Sequence, residues 1–175
     1  EVTNVVAIEI GNHKLKVVMR FLNLTAHFAA PQAIGARACL YVYSETDESL
    51  HLVGGSSGIT QDEKGFQYKV GAGIVGKAWE SNERRILHLH ECTNQDILRM
   101  KWNYDPEIAE YLSRKPKSIL AYPIIVNGDN VAKNLFFGVL VIDTESKVHE
   151  ARLDADYVLD NVRYFADMIS EYMEH

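Results

Sequence analysis

Cysteine is scarce in this chain, with two among 175 residues, Cys39 and Cys92, and no Cys-x-x-Cys pair. Such spacing supplies neither a disulfide framework nor a redox or zinc motif, and it fits buried thiols in a reduced compartment. No apolar run approaches the roughly 18 residues that a membrane span needs, and no basic-then-apolar leader opens the sequence. The expectation is a cytoplasmic protein without a membrane partner. A basic stripe is missing too. Net charge is −6, and residues 143–175 hold nine acids against three bases, so the remainder is balanced. No nucleic-acid partner is expected on that ground. Without internal repeats, low-complexity tracts or a long linker, the chain reads as one domain over 12–175, preceded by an arm or extra strand over 1–11. What is present is ordinary for a soluble globular protein: 47% hydrophobic and 24% charged residues.

From Asn12, read as an N-cap, the positions Leu15, Val18, Met19, Leu22, Ala26 and Ala29 recur at three- and four-residue steps, which predicts an amphipathic helix ending before Pro31. Residues 36–43 and 49–54 are two apolar runs joined by a polar turn, a hairpin covered on both faces. Strands follow at 67–70, 85–90, 118–126 and 134–144, the third of them interrupted by Pro123. An insert over 93–117 contains two short helices separated by Tyr104-Asp105-Pro106. The closing helix, about 154–173, carries Val158, Val162, Phe165, Ile169 and Tyr172 on a stripe wide enough for a sheet and a second helix. Homodimerisation through Leu15, Met19, Leu22 and that stripe is the expected use.

Lys69-Val-Gly-Ala-Gly-Ile-Val-Gly-Lys-Ala-Trp79 is a glycine turn opening a short helix. Gly71, Gly73 and Gly76 fit G-x-G-x-x-G, but the preceding strand is short and no parallel crossover follows, so a nucleotide-phosphate cradle is not the reading. The glycines predict a tight turn that buries Ile74 and Trp79 against the sheet.

Three stretches in order, Val70–Trp79 with Arg85-Ile86, Lys117-Ser118-Ile-Leu-Ala-Tyr-Pro123-Ile124, and Gly138-Val-Leu-Val-Ile-Asp143, resemble the GAF domain, a small-molecule sensory module of signalling proteins. The resemblance runs from about Leu15 to Met173. It implies an α+β, PAS-related fold: a central antiparallel sheet of five or six strands, the terminal helices on one face, and the insert roofing a ligand pocket on the other. The Asn-Lys…Phe…Asp-Glu pattern of cyclic-nucleotide sensors is missing. Cys92 is followed by Thr93 rather than the His or Tyr associated with bilin attachment, and two cysteines do not make the set of the methionine-sulfoxide reductase members. No cofactor is assigned.

Candidate ligand-binding residues are Tyr41, Tyr43, Trp79, His88, His90, Cys92, Trp102, Tyr104, Tyr111 and Tyr122. On a strand His88 and His90 share a face and suit a metal or haem, while Cys92 lies about 13 Å along from His88; pocket lining or plain packing is the competing account. Aromatic rings with polar tips suit a mixed ligand or simply anchor the insert. Leu40 and Val42 alternate with Tyr41 and Tyr43, so one pair faces the roof, and the sequence does not say which. Asp143-Thr144-Glu145 reads as a surface turn, and no nucleophile sits beside a base. The resulting expectation is a non-catalytic regulatory domain that binds a small molecule and signals through its terminal helices to an effector domain or partner. The rival is a scaffold with a filled pocket that serves dimerisation or docking, and a small redox or metal enzyme comes third.

Overall fold

The computed structural model describes residues 11–60, 63–81, 88–91, 94–114, 118–127 and 134–174, with side chains for all of these except 12, 88–91, 125–127, 134–137 and 174. The arm over residues 1–10 and Cys92 lie outside them. Helix α1 (Asn12–Phe28) precedes the hairpin β1 (Arg37–Ser44) and β2 (Ser49–Gly55). A single 3-10 turn (Glu63–Gly65) leads to β3 (Gln67–Lys69) and α2 (Gly73–Ser81). Then come β4 (His88–Glu91), α3 (Gln95–Trp102), α4 (Pro106–Arg114), β5 (Ser118–Asn127) and β6 (Asn134–Thr144). A one-turn α5 (Val148–Ala151) and the long α6 (Asp156–Glu174) close the chain. The cap of α1 is Gly11, not Asn12, which is its first helical residue. The expected strand over 85–90 is described from His88 onward, and α5 carries no periodicity long enough to read in advance.

The six strands form one antiparallel sheet in the order β3-β2-β1-β6-β5-β4. In β5, Pro123 pairs with Val139, and the register shifts one residue later, between Ile124 and Ile125. The alternation of β1 divides two cores. Ala38, Leu40 and Val42 pack under α1 and α6, whereas Cys39 and Tyr41, with Tyr43 against them, lie under α2, α3 and α4. Both faces are therefore apolar, the reason the strands read as near-continuous runs.

Leu22, Val158, Val162, Phe165 and Ile169 are buried in the chain's own core. The broad stripe on α6 is thus occupied by the sheet and by α1, and these five side chains are not available to a second copy. Leu15 and Tyr172 are partly buried, and of the eight residues offered for a dimer only Met19 is exposed.

Candidate functional site

The space between the sheet and the insert is where a pocket is expected, and its chemistry begins with the turn before α2. Gly71 N–H donates to Gly76 O at 3.1 Å and Ala72 N–H to Lys69 O at 2.9 Å, which closes the loop on itself. A Cβ on Gly76 would sit 2.2 Å from Lys69 O, and one on Gly73, where φ is +61°, would sit 2.4 Å from the ring of Tyr104. Only glycine permits both approaches. The turn aims the Ile74 N–H, in the first turn of α2, at the roof, and the Tyr104 hydroxyl accepts it at 3.1 Å. A phenol thus occupies the helix terminus that an anion would use.

Tyr104 reaches that position because of how α3 ends. Asn94 caps its start, accepting from Ile97 N–H at 2.9 Å, and Asn103 ends it in the left-handed conformation at φ +57°. This reversal turns Tyr104 under the roof, where it is buried. The ring meets Tyr68 edge-on at 5.9 Å, and Tyr68 meets Tyr41 in the same way at 5.2 Å. Burial pushes the Tyr41 phenol and the Cys39 thiol well above their ordinary values. Cys39 is therefore an inert thiol rather than a nucleophile. Among the described residues, a cavity inside this layer lined by Cys39, Tyr41, Tyr68, Ile74, Tyr104 and Ile119 holds about 20 Å³. It has room for about one water molecule, against the several hundred Å³ of an ordinary ligand pocket.

The other aromatic candidates divide by position. Tyr43 stacks on Trp79 at 4.8 Å, and Tyr111 meets Phe66 edge-on at 5.1 Å. Trp102 lies under the Lys77 ammonium at 5.1 Å, while Lys77 also donates to Lys101 O, so this ring fastens α3 onto α2. Tyr122 belongs elsewhere. It is buried on the opposite face, in the core beneath the terminal helices, because position 122 falls on the other side of the β5 pleat from Ala121. Of His88 and His90 only the backbone is described, opposite Ala121 and Ile119 of β5. Among the described residues, no group of three or more His, Cys, Asp or Glu is placed to hold a metal.

A polar cluster that sequence reasoning missed closes one end of this layer. Arg37 donates through Nε and one terminal nitrogen to both oxygens of Asp143, each at 2.8 Å. It also donates to both oxygens of Glu63, at 2.7 and 3.1 Å, and to Gly58 O at 2.9 Å. Thr60 adds its N–H and hydroxyl to Glu63. Asp143 is thus a buried residue within β6, directly opposite Arg37 in the register, not part of a surface turn. Burial pushes its carboxyl up, against the pull of Arg37. Burial also opposes the charge on Glu63, but hydrogen bonds from Arg37 and Thr60 outweigh it and hold that carboxyl below its ordinary value. Tyr111, half-buried beside Glu63, is pushed up to about 12 by burial and by that carboxylate. The signal was an arginine inside an apolar strand and an aspartate ending another. Their register supplied the meaning. An open cleft of about 590 Å³ lies outside the cluster, but the Arg37 donors that border it are already engaged.

No protein-family sequence model and no curated protein sequence matches the chain. Solved structures do. The GAF domain of a phosphoenolpyruvate-protein phosphotransferase from Coxiella burnetii matches with a TM-score of 0.59 at 16% identity, covering 99% of this chain and 93% of that one. The GAF domain of the Acinetobacter phosphoenolpyruvate-protein phosphotransferase matches with 0.55 at 12% identity, covering 94% and 95%. The PixJ GAF domain of Thermosynechococcus elongatus, in its blue-light absorbing form, matches with 0.56 at 13% identity, covering 94% and 89%. In all of them likeness of shape extends over nearly the whole length while sequence has diverged, and what it establishes is architecture: this chain has the GAF fold.

Proposed function

We propose that the chain is a non-catalytic regulatory domain in which the internal pocket of the GAF fold is filled by its own side chains, so that it acts through its outer surfaces on a partner or an attached effector domain. The observation that carries this reading is that, among the described residues, the cavity bounded by Tyr41, Tyr68, Ile74, Tyr104 and Ile119 holds about 20 Å³, with the Tyr104 hydroxyl accepting the Ile74 N–H of α2. A purine or a bilin needs more than ten times that space. The regulatory role itself rests on analogy with other GAF domains, because a fold alone does not fix an activity. The surface best suited to output is the outer face of α1 and α6, where Leu24, Phe28 and Tyr164 are exposed.

A thermal-shift panel of purines, cyclic nucleotides, amino acids and haem tests the reading, since any ligand confined to the native state raises the melting temperature. No member is expected to move it. A saturable, ligand-specific rise would reinstate the small-molecule sensor.

A further inference from the structure

We infer that Glu63 is a latch on the inner layer: neutralising its carboxylate lets the 3-10 turn swing off Arg37 and opens the inner cavity to the outer cleft, while the Arg37–Asp143 pair and the sheet behind it stay in place. This goes beyond the filled-pocket reading, since it concerns how one end of that interior is shut.

The three charged members of the cluster are not equally anchored. Arg37 opens β1 and Asp143 stands opposite it in β6, on two inner strands paired from Arg37 and Asp143 to Val42 and Gly138. Register alone keeps that pair together. Glu63 belongs instead to a 3-10 turn of three residues, followed by β3, the last strand in the sheet order, which pairs with β2 only from Lys69 opposite Ser49 to Gln67 opposite His51. Its side chain holds it to the sheet through four accepted hydrogen bonds, two from Arg37 at 2.7 and 3.1 Å, one from Thr60 N–H at 2.6 Å and one from the Thr60 hydroxyl at 2.8 Å. Charge-assisted bonds of this kind weaken when the carboxylate is neutralised.

One guanidinium thus serves two carboxylates, and position decides what each loss of charge does. Asp143 is pushed up by burial, so it yields its charge first without moving and leaves Arg37 one to one with Glu63. The latch fails only when Glu63 itself is neutralised. No other group facing it replaces that charge. Tyr111 faces it from α4 as a neutral phenol, and the Cys39 thiol on β1 is kept neutral by burial. Lys64 on the turn is exposed, Arg114 on α4 is paired with Glu110, and Glu145 is exposed at the border of the cleft.

The cluster is also a wall between two spaces. Asp143 borders both, Glu63 and Tyr111 border the inner cavity together with Cys39, and Arg37, Gly58 and Thr60 border the outer cleft. Release of the turn therefore exposes Cys39, which is buried while the latch is shut.

Thiol labelling provides the test, in the full chain with Cys92→Ser so that Cys39 is the reporter. Dithiodipyridine at pH 7 is expected to label this chain slowly, and to label it about tenfold faster or more once Glu63→Gln is added, with an unchanged far-ultraviolet dichroism spectrum. Asp143→Asn leaves one carboxylate on the guanidinium and is expected to stay protected. Val158→Ala weakens the opposite core and reports what global unfolding contributes, each rate being compared after allowance for stability measured in urea. Acceleration in Glu63→Gln no greater than in Val158→Ala, or equal acceleration in Asp143→Asn, overturns the inference. The chain with Glu63 intact gives a second readout should Glu63→Gln not fold. Protection of Cys39, taken relative to the unfolded chain at each pH, is expected to fall below the ordinary glutamate range of about 4.3 while the dichroism stays native; protection lost only together with the dichroism refutes a local latch.

Discussion

Arg37 joins the end of β1 to β6 and to the 3-10 turn, and its two carboxylate partners respond to burial in opposite senses. The Glu63 carboxyl titrates lower in the folded state than in the unfolded chain. Its stabilisation is therefore complete above the ordinary glutamate range and lost as pH falls through the lowered value. Asp143 titrates higher when folded, so its contribution runs the other way and improves on acidification. Replacing Glu63→Gln should flatten the loss of stability below about pH 4.5, measured by urea unfolding across the acid range; an unchanged acid slope would show that Glu63 does not supply it. Gly73 offers a second test. Gly73→Ala should cost about 1–3 kcal/mol, since a Cβ is strained at φ +61° and strikes the Tyr104 ring. Gly65→Ala, with nothing within 4 Å of the new Cβ, serves as the control and should stay near native stability. Equal effects at the two sites would contradict this account.

The helices α3 and α4 matter through what they insert beneath them. Leu98 and Ile108 are buried at the expected periodicity, and the break between the helices was legible from Tyr104-Asp105-Pro106. The direction of Tyr104 was not, because it depends on the left-handed turn at Asn103 and on the free N–H of α2, thirty residues earlier in sequence. Tyr104→Ala should destabilise the domain by about 3 kcal/mol by opening a cavity and stranding the Ile74 N–H. Phenol, which replaces both the ring and the hydroxyl, should restore part of the lost melting temperature in this variant and leave the native protein unmoved. A variant as stable as the native chain would mean that Tyr104 does not fill the site. Helices α1 and α6 behave differently: of the residues expected at a dimer seam, Leu22, Val158, Val162, Phe165 and Ile169 are buried in the chain's own core. A stripe wide enough for two partners does not say whether the second is a helix of the same chain or of another.

For the molecule as a whole, two apolar layers lie back to back on one sheet. Homodimerisation, the use expected from the sequence, makes stability concentration-dependent. The melting temperature of a dimer should rise with protein concentration, as read by calorimetry over a hundredfold range of about 1–100 μM. A melting temperature independent of concentration would argue for a monomer.

The sequence by itself determined the order of elements, the two-faced burial of the sheet and the glycine turn, because periodicity and backbone freedom are local properties carried by neighbouring residues. Tertiary structure alone decided which face of β1 carries Tyr41, that Tyr122 belongs under the terminal helices, that Arg37 meets Asp143 and Glu63, and that Tyr104 meets the start of α2. Each of those depends on strand register or on contacts between residues tens of positions apart, and no local pattern encodes them.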